Sequence, residues 1–256
     1  MKPIAALMSV VTLQLLVSSA SGQTTAASEQ QLITDARAAY YSLARHGFNG
    51  FQASIEPDWK VILADTANKE NLKLFRGLRF SMVVDARGGV TLNHEFGNTH
   101  ASVKQIHDHL QRFLSSFFGT WAFFMIGSPF PELQTRIESQ GNGYRIFYKV
   151  QATDVMLSMS RDFLITEGQL SDSTARRTIR PGFQKTRDGF VLLGYHTLFE
   201  PLTQGNKTTI DTTIEYHDLG GMKLPSKIHI KGMYGAEPVE ADLRFNECVL
   251  TSPRDK

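Results

Sequence analysis

Residues 216–232, "YHDLGGMKLPSKIHIKG", decide how the chain is read. Met222, Leu224, Ile228 and Ile230 fall on one parity, and Lys223, Lys227, His229 and Lys231 on the other. Alternation at a period of two marks a half-buried β-strand. Gly220 and Gly221 read as part of a hairpin loop rather than a phosphate cradle. Pro225 should lie where no ladder donor is needed, near the strand's start. The flanking segments explain the cationic face. In 207–216, Ile210, Ile214 and Tyr216 share a parity, with Asp211 and Glu215 opposite. In "PVEADLRFNECVL" (238–250), Val239, Ala241, Leu243, Phe245 and Val249 alternate with Glu240, Asp242, Arg244 and Asn246. If "HDLGG" is the loop, pairing Glu215 with Lys223 sets Asp211 opposite Lys227. Pairing His229 with Glu240 then sets Lys227 opposite Asp242, so Lys227 sits between two acids and faces away from the core. Each such pair contributes only about 0.2–1 kcal/mol. Its use is register, because a slip of one residue turns every side chain over.

The same pattern extends upstream to Pro131. "LQTRIES" and "YRIFYKV" flank the turn "QGNG", "TDVMLSMS" and "FLITEGQL" flank "RD", and "FQKT" passes through "RDG" into "FVLLGYHTLFE". Short links make sequence neighbours sheet neighbours, a meander. In 190–199, Phe190, Leu192 and Leu198 face one way and Val191, Leu193, Tyr195 and Phe199 the other, so this strand should be covered on both faces or lie where something apolar approaches the second one. Nearer the N-terminus, Leu32, Ala36, Ala39, Tyr40 and Leu43 predict a helix over 29–45, with Ser28 as its cap and Gly47 as its stop. "FNGFQASIEP" reads as a strand with Phe51, Ala53 and Ile55 inward. "DWKVILADTANKENLKLF" reads as one or two short helices, and "LRFSMVVDARGGVTLNHEF" as a Gly-Gly hairpin. The spacing of Val103, Ile106, Leu110, Phe113 and Leu114 predicts a long helix over 99–127. Its second half, "FFGTWAFFMIG", is apolar on every side and must be surrounded. Gly119, Gly127, Pro129 and Pro131 punctuate it, which suits a buried helix better than a membrane span. The expected fold is therefore α+β: a curved antiparallel meander, a half-open barrel, wrapping that helix.

Residues 1–22, "MKPIAALMSVVTLQLLVSSASG", have the positive start, short apolar centre and small residues of an export signal, with a cut expected between Gly22 and Gln23. Residues 23–256 are then one periplasmic or secreted domain, expected to be monomeric. Cys248 is the only cysteine, so no internal disulfide can form and core packing must hold the domain. A net charge of +2 gives no case for a nucleic-acid partner.

Phe48, Gly50 and Phe51 in "GFNGFQASI", and Gly221, Leu224, Pro225 and Ile228 in "GMKLPSKI", carry a resemblance. With the N-terminal helix and the long meander, they make the chain similar to the LolA/LolB-like periplasmic lipoprotein carriers and their lipid-binding relatives. The resemblance covers most of residues 30–250 and implies a concave sheet face that holds acyl chains under helices. No arginine here matches the carriers' functional one. The implied partner is a lipid or other hydrophobic small molecule, and beyond that an envelope protein. The residues expected to line the cavity are Phe113, Phe117, Phe118, Trp121, Phe124, Leu193, Tyr195, Leu224, Ile228 and Ile230. The same residues would equally fill a solid core, as helix-on-sheet packing requires.

Other chemistry is thinner. His94, Glu95, His100, His107, Asp108 and His109 gather zinc-type ligands in "NHEFGNTHASVKQIHDHL". They would support a metal-dependent hydrolase, but their spacing is poor, since His107 and His109 leave a helix on different sides, and the bland reading is polar residues on an amphipathic helix. No Gly-x-Ser-x-Gly elbow or Gly-rich phosphate loop occurs. No cofactor is expected, no catalytic residue is assigned, and the balance leans away from an enzyme. Arg176, Arg177, Arg180, Lys185 and Arg187 make either a solvated strand face or a surface for anionic headgroups.

Overall fold

The structure, a computed structural model, describes residues 20–63, 75, 78–94, 101–130 and 135–252. Helix α1 (Ala20–Ala38) leads to strand β1 (Gly50–Pro57), the short helix α2 (Trp59–Leu63), and the hairpin of β2 (Phe80–Asp85) and β3 (Val90–His94). Helix α3 (Ala101–Met125) follows. Then come β4 (Arg136–Gln140), β5 (Gly143–Val150), β6 (Thr153–Ser160), β7 (Ile165–Ser171), β8 (Ala175–Thr186), β9 (Gly189–Pro201), β10 (Thr208–Leu219), β11 (Met222–Tyr234) and β12 (Glu237–Leu250). All twelve strands join one open sheet in the order β3-β2-β1-β12-β11-β10-β9-β8-β7-β6-β5-β4. Every pairing is antiparallel. The expected meander holds from β4 to β12, and β12 then returns to pair with β1.

Local chemistry explains the hairpins. In β1, Phe51, Ala53 and Ile55 are buried, and Gln52 and Glu56 are exposed. Asp85 Oδ1 accepts the N–H groups of Arg87 (2.7 Å) and Gly89 (2.9 Å) and closes the β2–β3 turn. Gly220 and Gly221, at φ 59° and 80°, form the two-residue turn between β10 and β11. Both central residues at positive φ give the twist that antiparallel strands prefer.

That compact turn corrects the expected register. Leu219 pairs with Met222 and Asp218 with Lys223, so His217–Leu219 belong to the strand and not to a loop. Glu215 meets Lys227 rather than Lys223, and Asp211 meets Lys231 rather than Lys227. On the other side His229 pairs with Asp242 rather than Glu240, and Lys227 with Arg244 rather than Asp242. Ser226 is the extra residue of a bulge beside Pro225, which is how a central strand accommodates a proline. Lys227 still points away from the core. It lies across from Glu215 and reaches diagonally to Asp242 Oδ2 at 3.1 Å.

Two further expectations change. The helix over 29–45 is instead α1 ending at Ala38, followed by a 3₁₀ turn at Leu43–His46 that Gly47 closes at φ 76°. Ser28 lies inside α1, not at its cap. The interruption has a cause, because residues 39–41 dock on the sheet. The Phe190 N–H donates to the Ala39 carbonyl (2.8 Å), and the Tyr41 N–H donates to the Phe190 carbonyl (3.1 Å). The Tyr40 hydroxyl donates to the Phe163 carbonyl (2.8 Å) and accepts the Ile165 N–H (2.7 Å). The first half of α3 is amphipathic as expected, and its second half is not surrounded on every side: Gly119 is exposed and Ala122 and Phe123 are half-buried, while Phe117, Phe118, Trp121, Phe124 and Met125 are buried.

Helix α3 meets the sheet at both of its sides. Gln111 Oε1 accepts the Leu92 N–H (2.7 Å), its Nε2 donates to the Val90 carbonyl (2.9 Å), and His107 Nε2 lies 3.2 Å from the Leu92 carbonyl. These side chains serve the open edge of β3. Two turns later Phe118 packs on Phe51 of β1 and Phe245 of β12, with ring centroids 5.9 and 5.7 Å apart. Phe124 packs on Phe183 of β8 at 5.5 Å. Gly88, in the β2–β3 turn, has no room for a Cβ because Ala122 fills that place.

Candidate functional site

Register defines the face of the sheet that looks toward α3. Ile146, Leu157, Gly168, Ile179, Thr197, Ile210, Gly232 and Val239 pair in succession across β5 to β12 on that inner face. Where α3 covers this face, it is full. Of the ten expected cavity residues, Phe117, Phe118, Trp121, Phe124, Tyr195, Leu224, Ile228 and Ile230 are brought together in one buried core, and Phe113 is half-buried against it. Leu193 is not among them. It is the extra residue of a bulge, because Gly182 pairs with Gly194 while Phe183 pairs with Leu192. The bulge turns Leu193 outward, 42% exposed, and restores Tyr195 to the inner face. Val191, on the parity opposite Phe190 and Leu192, is buried, whereas Leu193, expected on the same side as Val191, is exposed, so the outer side of β9 is covered at Val191 but not at Leu193.

A few polar groups share this core. Burial pushes the Tyr195 hydroxyl up to about 12, opposed by hydrogen bonding with Thr212 and Thr120. Burial also raises Tyr216. Its hydroxyl and Trp121 Nε1 come close to each other without hydrogen-bond geometry. Phenols so held are neutral structural groups rather than bases.

The inner face continues beyond the covered part, toward the β9–β10 loop (202–207) and the β11–β12 turn. There Leu170, Arg177, Phe199, Thr208 and Tyr234 stand in one row across β7 to β11, beside the row that ends at Ile210 and Val239. Phe199 and Ile210 are half-buried, Tyr234 is 54% and Val239 37% exposed, and Leu202 in the adjoining loop is 55% exposed. This end is an apolar shelf open to solvent. The other end is closed by residues 39–41, where Tyr41 also accepts the Lys223 N–H on its hydroxyl (3.1 Å). The shelf was missed in the sequence because strands 8 to 11 run longer than their apolar alternation suggests. Arg177 shares parity with Ile179, and that could have placed it inside.

The remaining candidates disperse. Among the described residues no three His, Cys, Asp or Glu groups could hold a metal. His107 bonds to the β3 edge and His109 is exposed, while the side chains of His94, Glu95 and His100 lie outside the described residues. Cys248 is half-buried in β12, and burial pushes its thiol up, away from nucleophilic use. Arg180 pairs with Glu167 at 3.0 Å on the outer face. A mixed-charge groove of ≈ 840 Å³ runs beside α2, lined by Glu56, Trp59, Lys60, Arg79 and Arg244. No described helix is long and apolar enough to cross a membrane. No family model, curated protein or solved structure matches this chain.

Proposed function

We propose that the chain is an exported envelope protein of the lipoprotein-carrier fold group, and that it binds or carries a lipid or other hydrophobic molecule without chemical change. One observation carries this reading: the apolar inner-face shelf at Phe199, Ile210, Tyr234 and Val239 opens to solvent next to a packed helix–sheet core. Burying an alkyl chain there is worth about 0.8 kcal/mol per methylene. The half-open barrel is supported by α3 itself. Between Phe118 and Phe124 the helix rises only about 9 Å. Within that rise it meets β1, β12, β8 and the β2–β3 turn. In a flat sheet β2 and β8 would stand about 29 Å apart. A sheet bent round the helix brings them within reach of it. The leader-like residues 1–22 and the absence of a second cysteine are in keeping with an exported domain held by packing.

Lipid extraction and native mass spectrometry of the purified full-length protein test the reading, with a bound long-chain molecule expected. A second reading, a protein-binding module with a solid core, is favoured by the complete burial of Phe118, Trp121, Phe124, Leu224 and Ile228. A protein that yields no lipid and takes up no oleyl alcohol would leave that second reading in place.

A further inference from the structure

Arg177 is the one arginine of its strand that the register sets on the inner face. It stands directly between Leu170 of β7 and Phe199 of β9, two residues from the buried Ile179. Arg176 and Arg180, on the opposite parity, are exposed on the outer face. Arg177 is half-buried, and among the described residues it makes no ion pair or hydrogen bond. Asp172 is near enough to feel its charge, but Asp172 Oδ1 is already taken by the Thr174 N–H (2.7 Å), the Thr174 hydroxyl (2.6 Å) and the Ala175 N–H (3.0 Å). A guanidinium is always charged, and withdrawing one from water without a partner is unfavourable. Here it stands on an apolar shelf, with the stem able to lie along Leu170 and Phe199 and five N–H donors unspent.

Resting on the hydrophobic-ligand reading, we propose that the ligand is an anionic amphiphile: an alkyl chain that lies on the Phe199–Ile210–Tyr234 shelf and a carboxylate or phosphate head that the Arg177 guanidinium grips bidentately. The planar fork matches both heads. Thr208, in the same row, adds a hydroxyl within the shelf.

Isothermal titration of the full chain with oleate, oleyl phosphate and oleyl alcohol, each below its aggregation concentration, tests this. Either anion should bind at least about tenfold more tightly than the alcohol, as a charge-assisted bidentate contact warrants. The tighter of the two names the head. Arg177→Gln should abolish the preference, bringing both anions down to the affinity of the alcohol in the same variant. Arg177→Lys should retain part of it, and Arg176→Gln all of it. Equal binding of anions and alcohol by the native protein overturns the headgroup assignment and leaves the hydrophobic-ligand reading standing. So does a preference that survives in Arg177→Gln while its near-UV circular dichroism stays native. Failure of all three probes to bind overturns both.

Discussion

The carboxamide of Gln111 stands where another strand would stand beside Leu92. It accepts the Leu92 N–H at 2.7 Å and donates to the carbonyl of Val90 at 2.9 Å, two residues along the same edge. A side-chain amide carries the same donor and acceptor as a peptide, so one residue of α3 supplies a ladder rung to β3. Edge strands invite pairing with other chains, and covering them with a helix is one of the ways proteins prevent it.

Gln111→Ala should therefore lower stability by about 1–3 kcal/mol, the range for leaving paired groups unsatisfied. Urea denaturation reads the loss, and amide exchange should quicken at Leu92 well before it does at Val84. Gln111→Glu keeps the acceptor and loses the donor, so it should fall between. An alanine variant as stable as the native chain would mean that the edge is held by something else.

The bulge in β9 separates two adjacent leucines. Leu192 is fully buried and Leu193 is exposed. Leu192→Ala should cost about 2–5 kcal/mol, as for a deleted core side chain. Leu193→Ser should stay within about 0.5 kcal/mol of the native chain. Reversed ranks in thermal unfolding would show that the strand has the parity its apolar run suggests.

Asp242 should make stability depend on acid. Burial pushes its carboxyl up, but hydrogen bonds from His229 Nδ1 (2.6 Å) and Lys227 Nζ (3.1 Å) outweigh that and hold it below its ordinary value of 3.8. A carboxyl whose pKa falls on folding adds stability above its unfolded value and loses it as pH drops through the folded one. Asp242→Asn should be less stable than the native chain near neutral pH, and the gap should narrow as pH falls from the ordinary carboxyl value through the lower folded one. Urea midpoints across that range read the effect, and a gap that does not narrow on acidification would remove the carboxylate from the account.

What could be read from the residues, and what could not, divides along local and non-local chemistry. That Met222, Leu224, Ile228 and Ile230 belong to the core was legible, and all four are buried. So were the turns at Gly88, Gly141 and Gly220 and the long helix before Pro131. The register was not, because "HDLGG" holds enough polar and glycine residues to pass for a loop, and only the sheet keeps His217–Leu219 extended. Bulges at Leu193 and Ser226 were also hidden, since each exchanges one parity for the other without changing composition. The N-terminal helix was drawn too long because Tyr40 and Leu43 fit a helical spacing. Tyr40 is buried instead by Phe130, Phe183 and Phe190, whose rings pack on it. The expected cavity set, Leu193 apart, lies in or against the buried core. Those residues fill the core, and the open apolar surface lies farther along the same face.

β1 is paired on one side by β2 and on the other by β12, the strand most distant from it in sequence among the described residues. Ser54 sits across from Asn246, Ile55 across from Phe245, and Phe51 across from Leu250. Phe118 of α3 packs on Phe51 of β1 and on Phe245 of β12, so its surroundings are complete only when both strands are in place. Contacts of such sequence separation slow folding, because the loop must close before they reward it. β12 is thus the strand that joins β1, β2 and β3 to the β4–β11 meander in a single sheet.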